Sequence, residues 1–358
     1  MLLELPSARE EAWRWADLSG LPALASAPRG DASIEPVFLD CGGPRLVFVD
    51  GVLDTARSDT NGIAIGPVEA RSTHALARLT TGAGWTLDIA RDQSPPATIE
   101  IVHIGTGGAS HLPARIALAD GAQASVVESF VGTGWANRLT RITLGKGARL
   151  MRSIRLQQSA GFVSLRDEAE LGAGASLVSI ALGAGAADSR IDAHVTLTGA
   201  DAYAEVGGAL LARGRQRQEA AVVVRHAAPG GQSRQTWRAV AADQAIASLA
   251  ARIEVARDAQ KTDGEQSLRG LLMQRTATIN LKPELEIFAD DVKCAHGATV
   301  GELDKQALFY AESRGIPRDR AEALLTRAFV ADALSRIGEE RVREAFEADA
   351  EIWLGGVL

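Results

Sequence analysis

One short motif recurs through the middle of this chain at a nearly constant interval. Gly121-Ala122, Gly147-Ala148, Gly174-Ala175 and Gly199-Ala200 each precede an alternating stretch, at spacings of 26, 27 and 25 residues. A period of that size marks stacked units, each too small to bury its own apolar face and therefore dependent on its neighbours. A small residue at the same corner of every coil lets the chain bend while successive coils stay close. Between Gly82 and Gly208 the chain has 18 glycines, many β-branched residues and little helical periodicity, so the coils are built of strands. The expected fold is mainly β, with a parallel β-helix core. A leucine-rich repeat would need a recurrent Leu and Asn spacing that is absent, and an antiparallel sandwich is the alternative.

The flanks have a different texture. Ser7 with Glu10 three residues on has the form of a capping box, so a helix is expected through EEAWRWADL until Ser19-Gly20. Pro22, Pro28 and Pro36, with small residues between them, read as a linker, and residues 46–49 (LVFV) as a short strand ending in an Asp50-Gly51 turn. From Glu302 onward 20 of 57 residues are charged and only four are glycine, which indicates helices. Pro317 suits a helix start, and Ala321, Leu324, Leu325, Ala328, Phe329 and Leu334 follow helical spacing between Gly315 and Gly338. A second helix from Glu339 puts Val342, Phe346, Ala350 and Trp353 on one stripe. The expected division is an N-terminal helical region and linker over 1–45, a β-helix core over 46–301 and a C-terminal helical domain over 302–358.

Composition narrows the function. A net charge of −7 and a pI near 5.5 give no electrostatic footprint for nucleic acid or for an anionic membrane surface. Two cysteines, Cys41 and Cys294, cannot build a disulfide framework, which points to a reducing compartment. The opening segment carries Glu4, Glu10 and Glu11 and lacks the pattern of a signal peptide, and the uncharged run over 171–187 is too short and too rich in Gly, Ala and Ser to span a bilayer. A cytoplasmic location is expected.

Few motifs carry chemistry. Gly145-Lys146-Gly147 lacks the hydroxyl residue and upstream glycine of a P-loop, so the chain has no nucleotide site of that kind. The run from Gly105 to Ser110 misses the last glycine of the dinucleotide fingerprint and reads as a β-turn. His74, His103, His111, His194 and His226 are scattered without a ligand pattern, and the polar run around His226 reads as a corner of the β-domain. The exception lies at 294–296, where Cys294 and His296 stand two apart beyond a β-like run. If this piece is extended, both point to one face. A thiol and an imidazole there suit a soft metal such as iron, zinc or copper, an activated nucleophile, or simply a buried thiol beside a structural histidine. Two ligands do not complete a tetrahedral site, so a metal would draw the others from elsewhere in the fold or from a second chain. Asp290 and Asp291 fit a solvated turn.

Around this pair the sequence resembles the SufB/SufD family of the SUF iron–sulfur cluster assembly system, on its SufD side. The run KPELEIFADDVKCAHGATVGELDKQALFYAESRGIPRDRAEALLTRAF, residues 282–329, carries the resemblance, preceded by ARDAQKTDGEQS at 256–267. Weaker likeness runs through NRLTRITLGKGARL, LVFVDG and REEAWRWADL. Where SufB proteins typically have Glu-His-Glu, this chain has Cys294-Ala295-His296. The resemblance implies a right-handed parallel β-helix core flanked by N-terminal and C-terminal helical regions. It implies a non-ATPase scaffold subunit that pairs with SufB through the β-helix ends and docks the SufC ATPase on its C-terminal helices. His296 and Cys294 become candidate ligands of a nascent cluster at the SufB–SufD interface. The iron–sulfur cluster would be transient in the assembled complex, with none tightly bound to the isolated chain, and the chain alone would form a homodimer.

Two enzyme readings compete. A β-helix lyase or hydrolase acting on carbohydrate would need a groove with paired carboxylates, or calcium-binding acids with a basic residue. A Cys-His nucleophilic enzyme would need a third group to orient the dyad, and the sequence offers none.

Overall fold

Two rows of strands, stacked coil upon coil, make up the centre of the protein in the computed structural model, which describes residues 3–30, 38–69 and 71–355. The strands in chain order are β1 (Gly42–Val49), β2 (Val52–Leu53), β3 (Ile63–Pro67), β4 (Ala83–Ile89), β5 (Thr98–Leu118), β6 (Gln123–Leu144), β7 (Arg149–Leu156), β8 (Phe162–Leu171) and β9 (Ser176–Gly183). They continue as β10 (Asp188–Leu197), β11 (Tyr203–Ala212), β12 (Arg217–His226), β13 (Gln232–Ala241), β14 (Ile246–Val255), β15 (Asp263–Leu272), β16 (Thr278–Ile287) and β17 (Lys293–Gly301). From β7 on, each strand pairs in parallel with the strand two ahead of it. One face of the solenoid is β7·β9·β11·β13·β15·β17, and the other is β8·β10·β12·β14·β16. The long strands β5 and β6 bend across both faces, β6 meeting β7 with its first half and β8 with its second. The result is a parallel β-helix of about seven turns.

The corner that starts each coil explains the repeat. Gly121, Gly147 and Gly174 have positive φ, and each backbone N–H donates to the coil above, to the carbonyls of Lys146, Ala173 and Ala200. The next member of this column is Asp201, φ 59°, whose N–H donates to Pro229. Gly199, expected from the sequence at that corner, lies two residues early. Asp is one of the few side chains that tolerates the left-handed region, so the motif continues as Asp201-Ala202 without its glycine. Ala122, Ala148, Ala175 and Ala202, the residues that follow, are all fully buried.

Inside the coils alternate residues form apolar rows, and one charged cluster interrupts them. Glu128, Arg138, Arg152 and Asp167 face the lumen of the early coils, where Arg138 lies 3.0 Å from Glu128 and Arg152 pairs with both carboxylates. His103 stacks on Phe130 with ring centroids 4.4 Å apart and reaches Glu128 at 3.3 Å.

The run from Gly105 to Ser110 is not a turn. It lies within β5, where a bulge between Thr106 and Ala109 carries the strand from one face to the other. The N-terminal segment also departs from expectation. The Glu10 carboxylate accepts the Ser7 N–H at 2.9 Å, as a capping box requires, yet only a 3₁₀ turn at Glu11–Trp13 follows. Trp13 is drawn onto the outer sheet against Arg190 and His74, and Leu18 and Leu21 pack beside Trp135 and Phe162, a spacing no continuous helix provides. The short helix α1 (Leu21–Ser26) stands instead where a linker was expected. Pro36 lies outside the described residues.

After β17 come α2 (Lys305–Ser313), N-capped by Asp304, α3 (Arg318–Leu334) and α4 (Glu340–Gly355). The last two fold back along the outside of the first face, where Val330, Leu334 and Phe346 cover Ile180, Leu211 and Val240. Arg238 pairs with Asp332 and Arg336 with Glu205 at 2.9 Å. The α4 stripe of Val342, Phe346, Ala350 and Trp353 is fully buried as its spacing requires, whereas Leu324 and Ala328 of α3 are exposed and Thr326 and Val330 take the core positions. No described helix is long and apolar enough to cross a membrane.

The two ends of the solenoid differ. At the first, β1 and β4 cover the halves of β5, and β2 and β3 close over them in antiparallel pairs. At the other, β16 pairs only with β14 and β17 only with β15 among the described residues, so the final coil presents its open edge.

Candidate functional site

The open end is where the sequence-predicted pair lies. Cys294 stands in register with Gly264, His296 with Gln266, Ala298 with Leu268 and Val300 with Gly270. On β15 these partners are the buried, lumen-facing positions. A Cβ built on Gly264 would lie 3.5 Å from the Cys294 sulfur, and one on Gly270 would lie 3.3 Å from a Val300 methyl. Cys294 and Val300 therefore point over the lumen, and strand alternation puts His296 on the same face between them. The two candidate ligands are thus brought together at the mouth of the solenoid.

Their environments differ. Cys294 is half-buried against Ile253 and Leu285, and burial, followed by the nearby Asp263 carboxylate, pushes its thiol up despite an opposing bond to the Gly264 backbone. It is a poor thiolate in the lone chain. His296 is exposed, with no hydrogen-bond partner among the described residues. On β16 the lumen row is Ile279, Leu281, Pro283, Leu285 and Ile287, and on this rim Ile287, Phe288 and Val300 are exposed by 38%, 60% and 40%. The mouth is an apolar ring with one imidazole and one thiol set into it. Asp290 and Asp291 stay in the preceding turn, where the Asp291 carbonyl accepts from Lys261 and its N–H donates to Gln260.

Directly beneath His296 lies a polar column that sequence reading missed. Gln266 is stacked on Gln235, both are fully buried, and neither amide nitrogen nor oxygen of Gln266 has a partner among the described residues. The recurrence of Gln235, Gln266 and His296 at intervals of 31 and 30 residues, close to the coil length, is the signal that marks them.

The remaining histidines serve the scaffold. His74 meets Asp192 at 3.1 Å, His111 meets Asn137 at 2.9 Å, and His226 meets Ser233 at 2.8 Å. Burial first, against a weak pull from Asp263, brings His226 down to about 4, so it stays neutral. His194 is partly exposed on the second face. Cys41, against the C-terminal helices, is pushed up to about 11 chiefly by burial. Among the described residues no three His, Cys, Asp or Glu side chains are placed to hold a metal ion. The cleft under the N-terminal segment has carboxylates, but each is tied to a cation: Asp192 and Glu219 to Arg190, Glu284 to Arg252 and Lys282. A glycosidase pair of free acid and base is not formed there.

Comparison with known proteins agrees with the architecture. The chain is 28% identical over 368 residues to the iron–sulfur cluster assembly protein SufD of Escherichia coli K12, covering 95% of this chain and 87% of that one. It is 26% identical to a SufBD family iron–sulfur cluster assembly protein of Synechocystis, over 94% of this chain and 84% of the relative. A SufBD family relative from Mycobacterium tuberculosis is also 26% identical, over 97% and 89% respectively. The family model for the SufBD core domain of SUF system FeS cluster assembly matches residues 103–329, which run from the early coils through the open end into α3. This chain therefore belongs to the SufB/SufD family of SUF-system iron–sulfur cluster assembly proteins.

Proposed function

We propose that the chain is the SufD-type scaffold subunit of a SUF assembly complex, without catalytic turnover of its own. A SufB-type partner covers the open end of the solenoid, and the nascent cluster is held at that junction. The observation that carries this reading is an uncovered terminal coil with an imidazole and a thiol set on its lumen face. An exposed apolar rim and unpaired strand edges call for a covering surface. Two side chains leave an iron or zinc site half built, so the facing chain supplies the rest. The cluster is cargo, and His296 is the ligand this chain contributes. A neutral imidazole binds iron without first losing a proton, whereas the thiol of Cys294 must lose its proton in a partly buried place. Cys294 assists and is dispensable.

SufC-type ATPase subunits dock on the C-terminal helices, where Phe309, Tyr310, Leu324 and Ile352 are exposed by 72%, 60%, 47% and 75%. That docking gives an ATP-driven process to a chain without a P-loop. The assembly works in the cytoplasm, and the lone chain forms a homodimer through the same open end.

Coexpression with SufB-type and SufC-type subunits, followed by purification on a tag carried by this chain, tests the proposal. The expected result is stoichiometric capture of both partners and acid-labile sulfide with iron in the complex. A chain that purifies alone from such a coexpression would overturn it.

A further inference from the structure

Gln266 is an expensive residue. Both polar atoms of its amide are buried in the solenoid with no hydrogen-bond partner placed among the described residues, although an apolar side chain of similar size would fill the position. Its neighbours give it a purpose. Stacked residues of a parallel ladder lie about 4.8 Å apart, so terminal amides rotate into contact with the side chains above and below. Below is Gln235, whose Nε2 donates to the Arg252 carbonyl at 3.0 Å and whose Oε1 has no donor among the described residues. Above is His296, on the same lumen face.

The anchored bond sets a direction for the column. Gln235 Nε2 is held by the Arg252 carbonyl while its Oε1 is an open acceptor, and the amide nitrogen of Gln266, next in the ladder, is a donor that matches it. With its nitrogen turned to Gln235, the Gln266 amide has its oxygen left for the side chain above. We infer that Gln266 is a positioning residue: relayed from Gln235, its oxygen accepts the ring N–H of His296, fixes the tautomer and turns the lone pair of the other nitrogen outward. This deepens the proposed ligand role of His296 and rests on it, since a histidine that binds metal usually donates its second nitrogen to an acceptor behind it.

The test uses the full-length, metal-free chain. Long-range ¹⁵N–¹H correlation spectra of the histidine rings, with His296 assigned through His296→Asn, report its tautomer. In the wild type a single tautomer is expected. Gln266→Leu should give the mixed pattern of a free imidazole in a chain whose circular dichroism is unchanged. Gln266→Glu, which keeps an acceptor oxygen, should restore the single tautomer. Unchanged His296 nitrogen shifts in Gln266→Leu would overturn the inference. Because no metal enters the experiment, its outcome is separate from the ligand proposal. A tautomer that depends on Gln266 in a protein whose iron content ignores His296 would uphold the relay and reject the cluster site.

Discussion

Glu128 sits between two guanidiniums in a mostly apolar lumen. Burial alone would raise its pKa, but Arg138 and Arg152, with help from His103, outweigh that and hold the carboxyl well below the usual range. A carboxylate depressed in the folded state contributes stability that is present above its unfolded pKa and lost as pH falls, so denaturation should set in below about pH 4.5. Glu128→Gln should flatten that acid limb, measured by urea midpoints between pH 3 and 6. Arg152→Met leaves Glu128 and Asp167 short of a partner in the lumen and should cost about 3–5 kcal/mol. Glu219 behaves in the opposite sense. Burial first, and the charge of Asp192, push it up to about 7 against the pull of Arg190. Its folded pKa exceeds its unfolded one, so folded protein gives up stability as pH rises from about 4.5 to 7, and Glu219→Gln should remove that slope. At this scale the sequence is only partly legible. Cys294 and His296 can be placed on one face because strand alternation is local, but alternation does not say which polar residues look inward. The charged cluster at Glu128 and the column at Gln266 are set by the coil register, which joins residues far apart in the chain.

Among the elements, the corner column is the device that sets the coil length, and it gives a graded expectation. Gly174 has φ 62° and free space around a built Cβ, so Gly174→Ala should cost about 1 kcal/mol for the left-handed backbone alone. At Gly161, φ 95°, a Cβ would meet the Gly134 backbone carbonyl oxygen of the neighbouring coil at 2.1 Å, so Gly161→Ala should cost clearly more in urea midpoint. Equal losses would show that the coils are not packed as described. The Gly-Ala spacing by itself makes the solenoid legible, and it slips at Gly199 only because Asp201 performs the same turn. The N-terminal helix stops short for a physical reason: cap chemistry at Ser7 and Glu10 starts a turn, but burial of Trp13 against the outer sheet ends it. The C-terminal helices show both outcomes. The α4 stripe reads correctly because one wide contact buries it, while α3 is narrowly seated and leaves Leu324 out. Since α3 and α4 cover an apolar sheet face, deletion would expose the core. Surface charges are the cleaner test of docking: Phe309→Glu with Ile352→Glu should abolish SufC-type capture while the thermal midpoint stays within a few degrees. Undiminished capture would place the ATPase elsewhere.

For the whole molecule the governing feature is asymmetry. One end of the solenoid is closed by β1 to β4, and the other presents β16, β17 and their apolar rim. The lone chain should therefore self-associate at micromolar concentration by light scattering, and Val300→Glu should give a monomer of unchanged circular dichroism. A stable wild-type monomer would count against the open end as an interface. The central claim, that this end holds the nascent cluster through His296, is tested most directly by iron and sulfide per purified three-component complex. His296→Ala should leave the complex intact and reduce both to a small fraction of wild type, with Cys294→Ala much milder. Wild-type iron and sulfide in an intact His296→Ala complex would contradict it.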